Sequence, residues 1–319
     1  MNKSPLITIA ITCFNASSTI ERALLSAINQ DWPNFEILVV DDASTDNSAE
    51  IIRKFSRKYS KIRFIKNSEN KGCAFSRNIL IENAKGKFIA FFDDDDFSLK
   101  ERIRLQHSKI LNHEKIYNTK LIACFASGFR IYPNGYRKIL NSVGSIGNPI
   151  IGEDMVDFLL FGKRNKLLSN GSGTPTCSFM SRKEIFDKVG KFDNNLSRQE
   201  DIDFAIRLGF LKGHFIGIKQ KVIYQYFTPG VEKSPKIEFD NTNYIIRKNK
   251  NYLIQKGIYD YIIKWTRFRY SHFSGNRKKE FISFLELFLK YLLKTFFHVA
   301  NSGIKRFFHE LKIINTNKF

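Results

Sequence analysis

Apolar and polar positions alternate in blocks through the first third of the chain. Four short apolar runs, Leu6 to Ile11, Phe35 to Val40, Ile62 to Ile65 and Phe88 to Phe92, are bounded by polar or turn-forming segments. Runs of this length, rich in β-branched and aromatic residues, predict buried strands. Between them lie stretches with helical spacing, from about Ser18 to Asn29, Asp46 to Tyr59 and Ala74 to Asn83. Ser17 or Ser18 is expected to cap the first of these helices, with Glu21 standing three residues beyond Ser18 as in a capping box. Strands alternating with helices imply βαβ units. The expected fold is therefore α/β, with a doubly wound, mainly parallel, Rossmann-like sheet.

In such sheets ligands bind beyond the carboxyl ends of the strands, so the residues at those ends matter most. The first predicted strand is followed by Thr12-Cys13-Phe14-Asn15, the second by Asp41-Asp42 and the fourth by Asp93 to Asp96. Four consecutive aspartates repel one another. A folded protein keeps such a cluster at a strand end most readily when a cation neutralises it, and carboxylate oxygens suit Mg2+ or Mn2+. The bland alternative is a solvated acidic turn in which Asp96 or Ser98 caps the next helix.

The middle of the chain is less regular. Lys120 to Tyr132 reads as a long strand closed by the turn Pro133-Asn134-Gly135, and Ile150 to Leu168 mixes helical spacing with basic residues. The turn-rich stretch Ser169 to Thr176 follows, then a helix from about Lys183 to Val189, the turn Gly190 to Asp193, and a helix from Glu200 to Leu208. The 319 residues, 43% of them hydrophobic, are enough to bury a sizeable core. Cys13, Cys73, Cys124 and Cys177 lack any CxxC spacing, which argues against a zinc site or a disulfide scaffold. Met1 to Pro5 runs straight into the first strand without a signal-peptide pattern, so a cytoplasmic setting is expected.

Several motifs then stand in one order: Ile9 to Asn15 with its Thr-x-Phe-Asn ending, Phe35 to Asp46, Asn70-Lys71-Gly72 with Ser76-Arg77-Asn78, Gly86 to Asp96, and Val189 to Asp193 leading to Glu200-Asp201. In order and spacing, over about residues 5 to 230, the chain resembles a family 2 glycosyltransferase of the nucleotide-sugar-binding GT-A fold. The resemblance implies inverting transfer from a nucleoside-diphosphate sugar, with UDP the expected nucleotide. Asp42 would accept a hydrogen bond from the base, with Thr12, Phe14 and Asn15 beneath base and ribose. Asp93 and Asp94 would contact the nucleotide sugar, and Arg77 would assist there. Asp95 and Asp93 would be the metal ligands, although four aspartates leave the D-x-D register open between Asp93/Asp95 and Asp94/Asp96. Asp201 would be the general base and Glu200 its supporting partner. The loop Gly173 to Ser178 would line the gap between donor and acceptor. One departure stands out: Val222 to Tyr226 lacks the basic or histidine residue that often contacts the diphosphate, leaving Tyr226 or Lys233 as substitutes.

The formal charge of +21 points to an anionic partner. Sixteen Lys and Arg against four Asp and Glu lie from Ile245 onward, more than half of the whole excess. Phe281 to Lys294 carries Glu286, Lys290 and Lys294 at a spacing of four among Phe and Leu, which suggests an amphipathic helix resting on an anionic leaflet. No uncharged stretch reaches the ~18 residues of a membrane span. The expected organisation is a catalytic domain over 1–240, its nucleotide half about 1–115 and acceptor half about 116–240, then a basic helical extension over 241–319. The expected protein is peripheral on the inner membrane face and acts on a glycan or lipid-linked saccharide. Charge alone would equally suggest a nucleic-acid-binding protein, but an acidic site edge repels phosphates unless a metal is bound, so no nucleic-acid partner is expected. A nucleotidyltransferase would share the sheet and the acidic site, yet Thr12 to Ser18 lacks its Gly-rich basic loop.

Overall fold

A computed structural model describes residues 4–163, 173–228 and 234–314, with side chains up to residue 296. The chain forms two compact units, one of Met1–Ile131 and Arg137–Thr228, the other of Tyr132–Tyr136 and Pro229–Phe319.

The first unit opens with the predicted alternation: β1 (Ile7–Cys13), α1 (Ile20–Ile28), β2 (Phe35–Asp41), α2 (Ser48–Lys58), β3 (Ile62–Lys66), α3 (Cys73–Asn83) and β4 (Phe88–Asp93). Next come β5 (Phe97–Ser98), α4 (Arg102–Tyr117), β6 (Ile122–Ile131), β7 (Arg137–Leu140), β8 (Ile150–Ile151) and α5 (Glu153–Phe161). A 3-10 turn (Thr176–Ser178), β9 (Phe179–Arg182), α6 (Ile185–Val189), α7 (Glu200–Phe210) and β10 (His214–Tyr226) complete it.

All strands join one sheet in the order β3-β2-β1-β4-β9-β6-β10-β5, with β7 beside β6 and β8 beside β10. The long ladders β3-β2-β1-β4 and β6-β10 are parallel, whereas β9, β5, β7 and β8 add short antiparallel ones. Side chains alternate across the pleat, and both faces are covered. Ile7, Ile9 and Ile11 pack with Ile20 and Leu24 of α1, Ile52 of α2 and Ile103 of α4. Ala10, Leu38 and Phe91 pack on the opposite face with Leu80 of α3, Phe186 of α6 and Phe204 of α7.

The chain runs outward from β1 to β3 and returns to β4 on the other side of β1, so the sheet's switch point lies between β1 and β4. Their register sets Thr12 opposite Asp93, and Cys13 of β1 pairs with Asp41 of β2. Three motif-bearing strand ends therefore meet at one edge.

Two local expectations are corrected. The Ser18–Glu21 capping box does not form: α1 starts at Ile20, and its N-cap Thr19 makes no side-chain capping bond. The Ala16–Thr19 turn precedes the helix, and the Ser17 N–H goes to Asp46 instead. Likewise α2 begins at Ser48, because the Asp46 carboxylate sits ahead of the helix accepting from Ser17, Ser48 N and Ser48 Oγ.

The second unit holds α8 (Pro235–Lys248), α9 (Lys250–Gln255), α10 (Tyr259–Phe273) and α11 (Arg277–Ile314), the last kinked at Tyr291. The turn predicted at Pro133 to Gly135 is present, with Gly135 at φ +78° and its N–H bonded to the Tyr132 carbonyl. Lys264 pairs with Glu286 at 3.4 Å and Asp260 with Lys290 at 2.9 Å, so part of the charged stripe of α11 faces α10.

Candidate active site

The loops after β1 and β2 are tied together by the residues singled out there. Asn15 takes a left-handed conformation (φ +50°), which Asn tolerates better than most residues. Its Oδ1 accepts from Thr45 N at 2.9 Å, and its own N–H donates to Ser44 Oγ at 2.9 Å. Thr12 Oγ1 lies 3.8 Å from Cys73 Sγ, and the Phe14 ring is exposed. Asp42 is buried, and its carboxylate accepts from Asn67 Nδ2 (2.7 Å), Lys71 N (3.0 Å) and Gly72 N (2.8 Å). Gly72 stands at φ +87°, a conformation open to glycine, and this turns its N–H toward Asp42 at the start of α3. Asp42 thus organises the 70–72 loop whatever else it binds.

The four aspartates diverge. Asp93 ends β4 and lies 3.6 Å from the Arg77 guanidinium. Asp94 Oδ2 accepts the Phe14 N–H at 3.0 Å. Asp95 Oδ2 accepts from Thr228 Oγ1 at 2.7 Å, and its carbonyl accepts from Arg22 Nη2 at 2.5 Å. Asp96 Oδ1 accepts the Tyr226 N–H at 3.1 Å. The turn is thereby fastened to the β1 loop on one side and to the end of β10 on the other.

Burial first, and then repulsion from neighbouring aspartates, pushes two of them up: Asp94 to about 8 with Asp95 beside it, and Asp96 well above the usual range with Asp93 and Asp95 nearby. Such a group is poorly ionised until a cation arrives, so its donor set can be compared with a metal's needs. Carboxylate oxygens of Asp93 and Asp96 and the thiol of Cys177 lie within 4.8 Å of one another. The oxygens suit a hard divalent ion. Cys177 does not: burial pushes its thiol well above the usual value, and Gln225 Nε2 donates to its sulfur at 2.5 Å. The carboxylates fit Mg2+ or Mn2+, and the thiol is a neighbour.

Glu200 and Asp201 open α7. Glu200 is buried and paired with Arg77, 123 residues earlier in sequence, so one buried arginine joins the acidic turn to the α7 start. Asp201 is partly exposed, and its Oδ1 accepts the Ile202 N–H at 2.8 Å. Burial, then the charge of Glu200, raises Asp201 to about 7 against the opposing pull of Arg77. A carboxylate held there is matched to taking a proton near neutrality. Asp201 shares a small cavity with Thr174 and Thr176. Residues 169–172 of the turn-rich loop and Lys233 lie outside the described residues.

Sequence reasoning had no local signal for Arg22 and Thr228, which reach Asp95 from α1 and from just beyond β10, or for Gln225, which donates to Cys177. Asn67 was findable: it stands just past β3, at the same edge as Asp42.

The fold is a mainly parallel α/β sheet with acidic residues at the ends of β2 and β4, beside its switch point. The sequence matches the Glycosyl transferase family 2 model over residues 8–190. The chain belongs to that family. It is 33% identical over 148 residues to the Escherichia coli UDP-Glc:alpha-D-GlcNAc-diphosphoundecaprenol beta-1,3-glucosyltransferase WfgD, covering 44% of this chain and 56% of WfgD. To the E. coli enzyme of the same description, WfaP, it is 39% identical over 112 residues, covering 35% and 43%. The chain spans about half the length of such curated relatives. Among solved structures, S. aureus TarS 1-349 in complex with UDP-GlcNAc superposes with a TM-score of 0.60 at 19% identity, over 84% of this chain and 73% of that one. That likeness speaks for the fold.

Proposed function

We propose that the chain is an inverting glycosyltransferase that moves a sugar from a UDP-linked donor to a hydroxyl of a lipid-linked saccharide or growing glycan. The observation that carries this reading is the joining, through Arg77, of Asp93 at the β4 end to the Glu200-Asp201 pair at the start of α7. This supports a reading in which Asp93 serves the donor side and Asp201 accepts a proton at one edge. WfgD and WfaP are named for UDP-glucose and a diphosphoundecaprenol-linked acceptor, which supports the same classes here.

In the proposed reaction Asp201 takes the proton of the acceptor hydroxyl as its oxygen attacks the anomeric carbon. The carbon–oxygen bond to the diphosphate breaks on the opposite face, and its electron pair leaves with the nucleoside diphosphate. Asp42, Asn15, Thr12 and Phe14 would hold base and ribose, while Asp93 and Asp94 would contact the nucleotide sugar. Arg77, paired with Glu200 and Asp93, would assist at the nucleotide sugar. Mg2+ or Mn2+ would be held by Asp93, with Asp95 or the clustered Asp96 as second ligand, and would supply a Lewis acid toward the departing diphosphate.

The second unit is proposed to rest on the cytoplasmic face of an anionic membrane. Among the described residues no helix is long and apolar enough to cross one. On α11, Leu287 and Thr295 are buried, whereas Phe281, Leu285, Leu289, Leu292, Leu293 and Phe296 are exposed. An exposed apolar stripe on a basic helix suits the lipid–water boundary.

Release of nucleoside diphosphate from a panel of nucleotide sugars tests the enzymatic reading, with and without EDTA. UDP release from at least one UDP-sugar, lost in EDTA and in Asp95→Ala, is expected. Full turnover in excess EDTA would sink the metal assignment, and silence across the panel would sink the transferase reading.

A further inference from the structure

A nucleoside diphosphate brings further negative charge to an edge that already holds four aspartates, so the cations there decide whether it binds. Three arginines surround the acidic turn, and two are committed. Arg77 is buried and engaged with Glu200 and Asp93. Arg102 is fully buried beneath the turn and spends all three nitrogens on Gln106 Oε1 (3.1 Å), Ser98 Oγ (2.9 Å) and the Phe91 carbonyl (2.7 Å).

Arg22 differs. It stands in the first turn of α1, and its guanidinium lies 4.0 Å from the centroid of the Tyr226 ring at the end of β10. Its Nη2 donates to a backbone carbonyl, that of Asp95, not to a carboxylate, and among the described residues it forms no ion pair. Its Nε is buried with no partner among the described residues. A guanidinium presents five N–H donors in a planar fork suited to phosphate oxygens. Stacking on Tyr226 fixes the plane of that fork, and beyond the Asp95 carbonyl it holds no hydrogen-bond partner among the described residues. The β10 end, which carries no basic residue of its own from Val222 to Tyr226, thus receives a cation from α1.

We infer that Arg22 is the diphosphate-contacting cation of this site, supplied by α1 in place of a basic residue on β10. The inference rests on the nucleoside-diphosphate reading above. Arg22 contacts the leaving group and takes no proton.

Calorimetry with UDP and with uridine, both in Mn2+, separates the possibilities. Arg22→Gln should weaken UDP binding about tenfold or more and leave uridine binding unchanged. Arg22→Lys, which keeps the charge and loses the fork, should recover part of the loss. UDP affinity unchanged in Arg22→Gln would overturn the assignment. So would an equal loss for UDP and uridine with a lowered Tm, because that outcome makes Arg22 only a clip between α1 and β10. A wild-type protein that binds uridine but gains nothing from the diphosphate also overturns it while leaving the nucleotide site standing. Wild type binding neither ligand would remove the nucleotide reading itself, and this inference with it.

Discussion

Asp201 and Arg77 carry the residue-scale argument. Asp201 sits at about 7 because burial and Glu200 disfavour its charge. A base that must be ionised loses activity on acidification, so kcat/KM should fall tenfold per pH unit below about 7. Asp201→Asn should lower turnover by about 10²–10⁴-fold with UDP affinity unchanged. The same shift bears on stability. A carboxyl whose folded value is raised binds its proton more tightly in the native state. Its contribution is intact below the ordinary 3.8, declines as the pH rises, and is fully lost above about 7. Asp201→Asn should therefore have a higher Tm than wild type at pH 8 and nearly the same Tm near pH 4. Equal Tm values at pH 8 would mean that this carboxyl is not strained by its surroundings. Arg77 is the opposite case: it is buried between Glu200 and Asp93. Arg77→Met would leave those acids facing each other without their cation, a loss of about 3–5 kcal/mol. Urea unfolding would measure it, and a loss below about 1 kcal/mol would show that the pair is not held together by Arg77.

At the scale of elements, the loops after β1 and β2 act as one piece because Asp46 and Asn15 bridge them. Burial works against the Asp46 charge, but hydrogen bonds from Ser48 and Ser17 outweigh it and hold the carboxyl down to about 2. This stabilisation is present above the unfolded value of 3.8 and is lost as the pH falls through about 2. Asp46→Ala should cost about 1–2 kcal/mol at pH 7 and raise the KM for donor, since the nucleotide loops would no longer be held in register. A pH 7 unfolding curve matching wild type would contradict it. The same bridge explains what was legible in the sequence. Short apolar runs announced β1 to β4, because a strand covered on both faces needs apolar residues throughout. The acidic ends of β2 and β4 followed from the topology. The capping box misled because the Ala16–Thr19 turn delays α1 to Ile20 and leaves Ser18 ahead of the N-cap. In the second half, β9 is only four residues long, and β10 is bulged around Lys219 to Val222, so neither gives a clean period. Arg22 was illegible because its value depends on Tyr226, 204 positions away, and no local pattern encodes that contact.

For the whole molecule, the open quantity is where the net charge and the apolar face of α11 act. The sequence placed Lys290 with Glu286 and Lys294 on a charged stripe, yet Lys290 and Glu286 are engaged by Asp260 and Lys264 of α10. The stripe left free is apolar: Leu289 is 82% exposed and Leu293 70%. Binding to a membrane would then combine insertion of these side chains with attraction from the remaining surface cations. These two contributions respond differently to salt, since only the second is screened beyond about 8–10 Å at physiological ionic strength. Vesicles of anionic and of zwitterionic lipid should both bind the protein, the anionic ones more tightly, and raising the salt should erase the difference between them without abolishing binding. Removing α11 would uncover Leu287 and the facing side of α10, so point changes are the cleaner test. Leu289→Ser with Leu293→Ser should weaken sedimentation with both kinds of vesicle about tenfold or more while leaving Tm and soluble-acceptor turnover at wild-type levels. If the double variant sediments as wild type does, the apolar stripe does not meet lipid. If wild type ignores vesicles at every salt concentration, peripheral membrane association is wrong, and the exposed leucines require a protein partner.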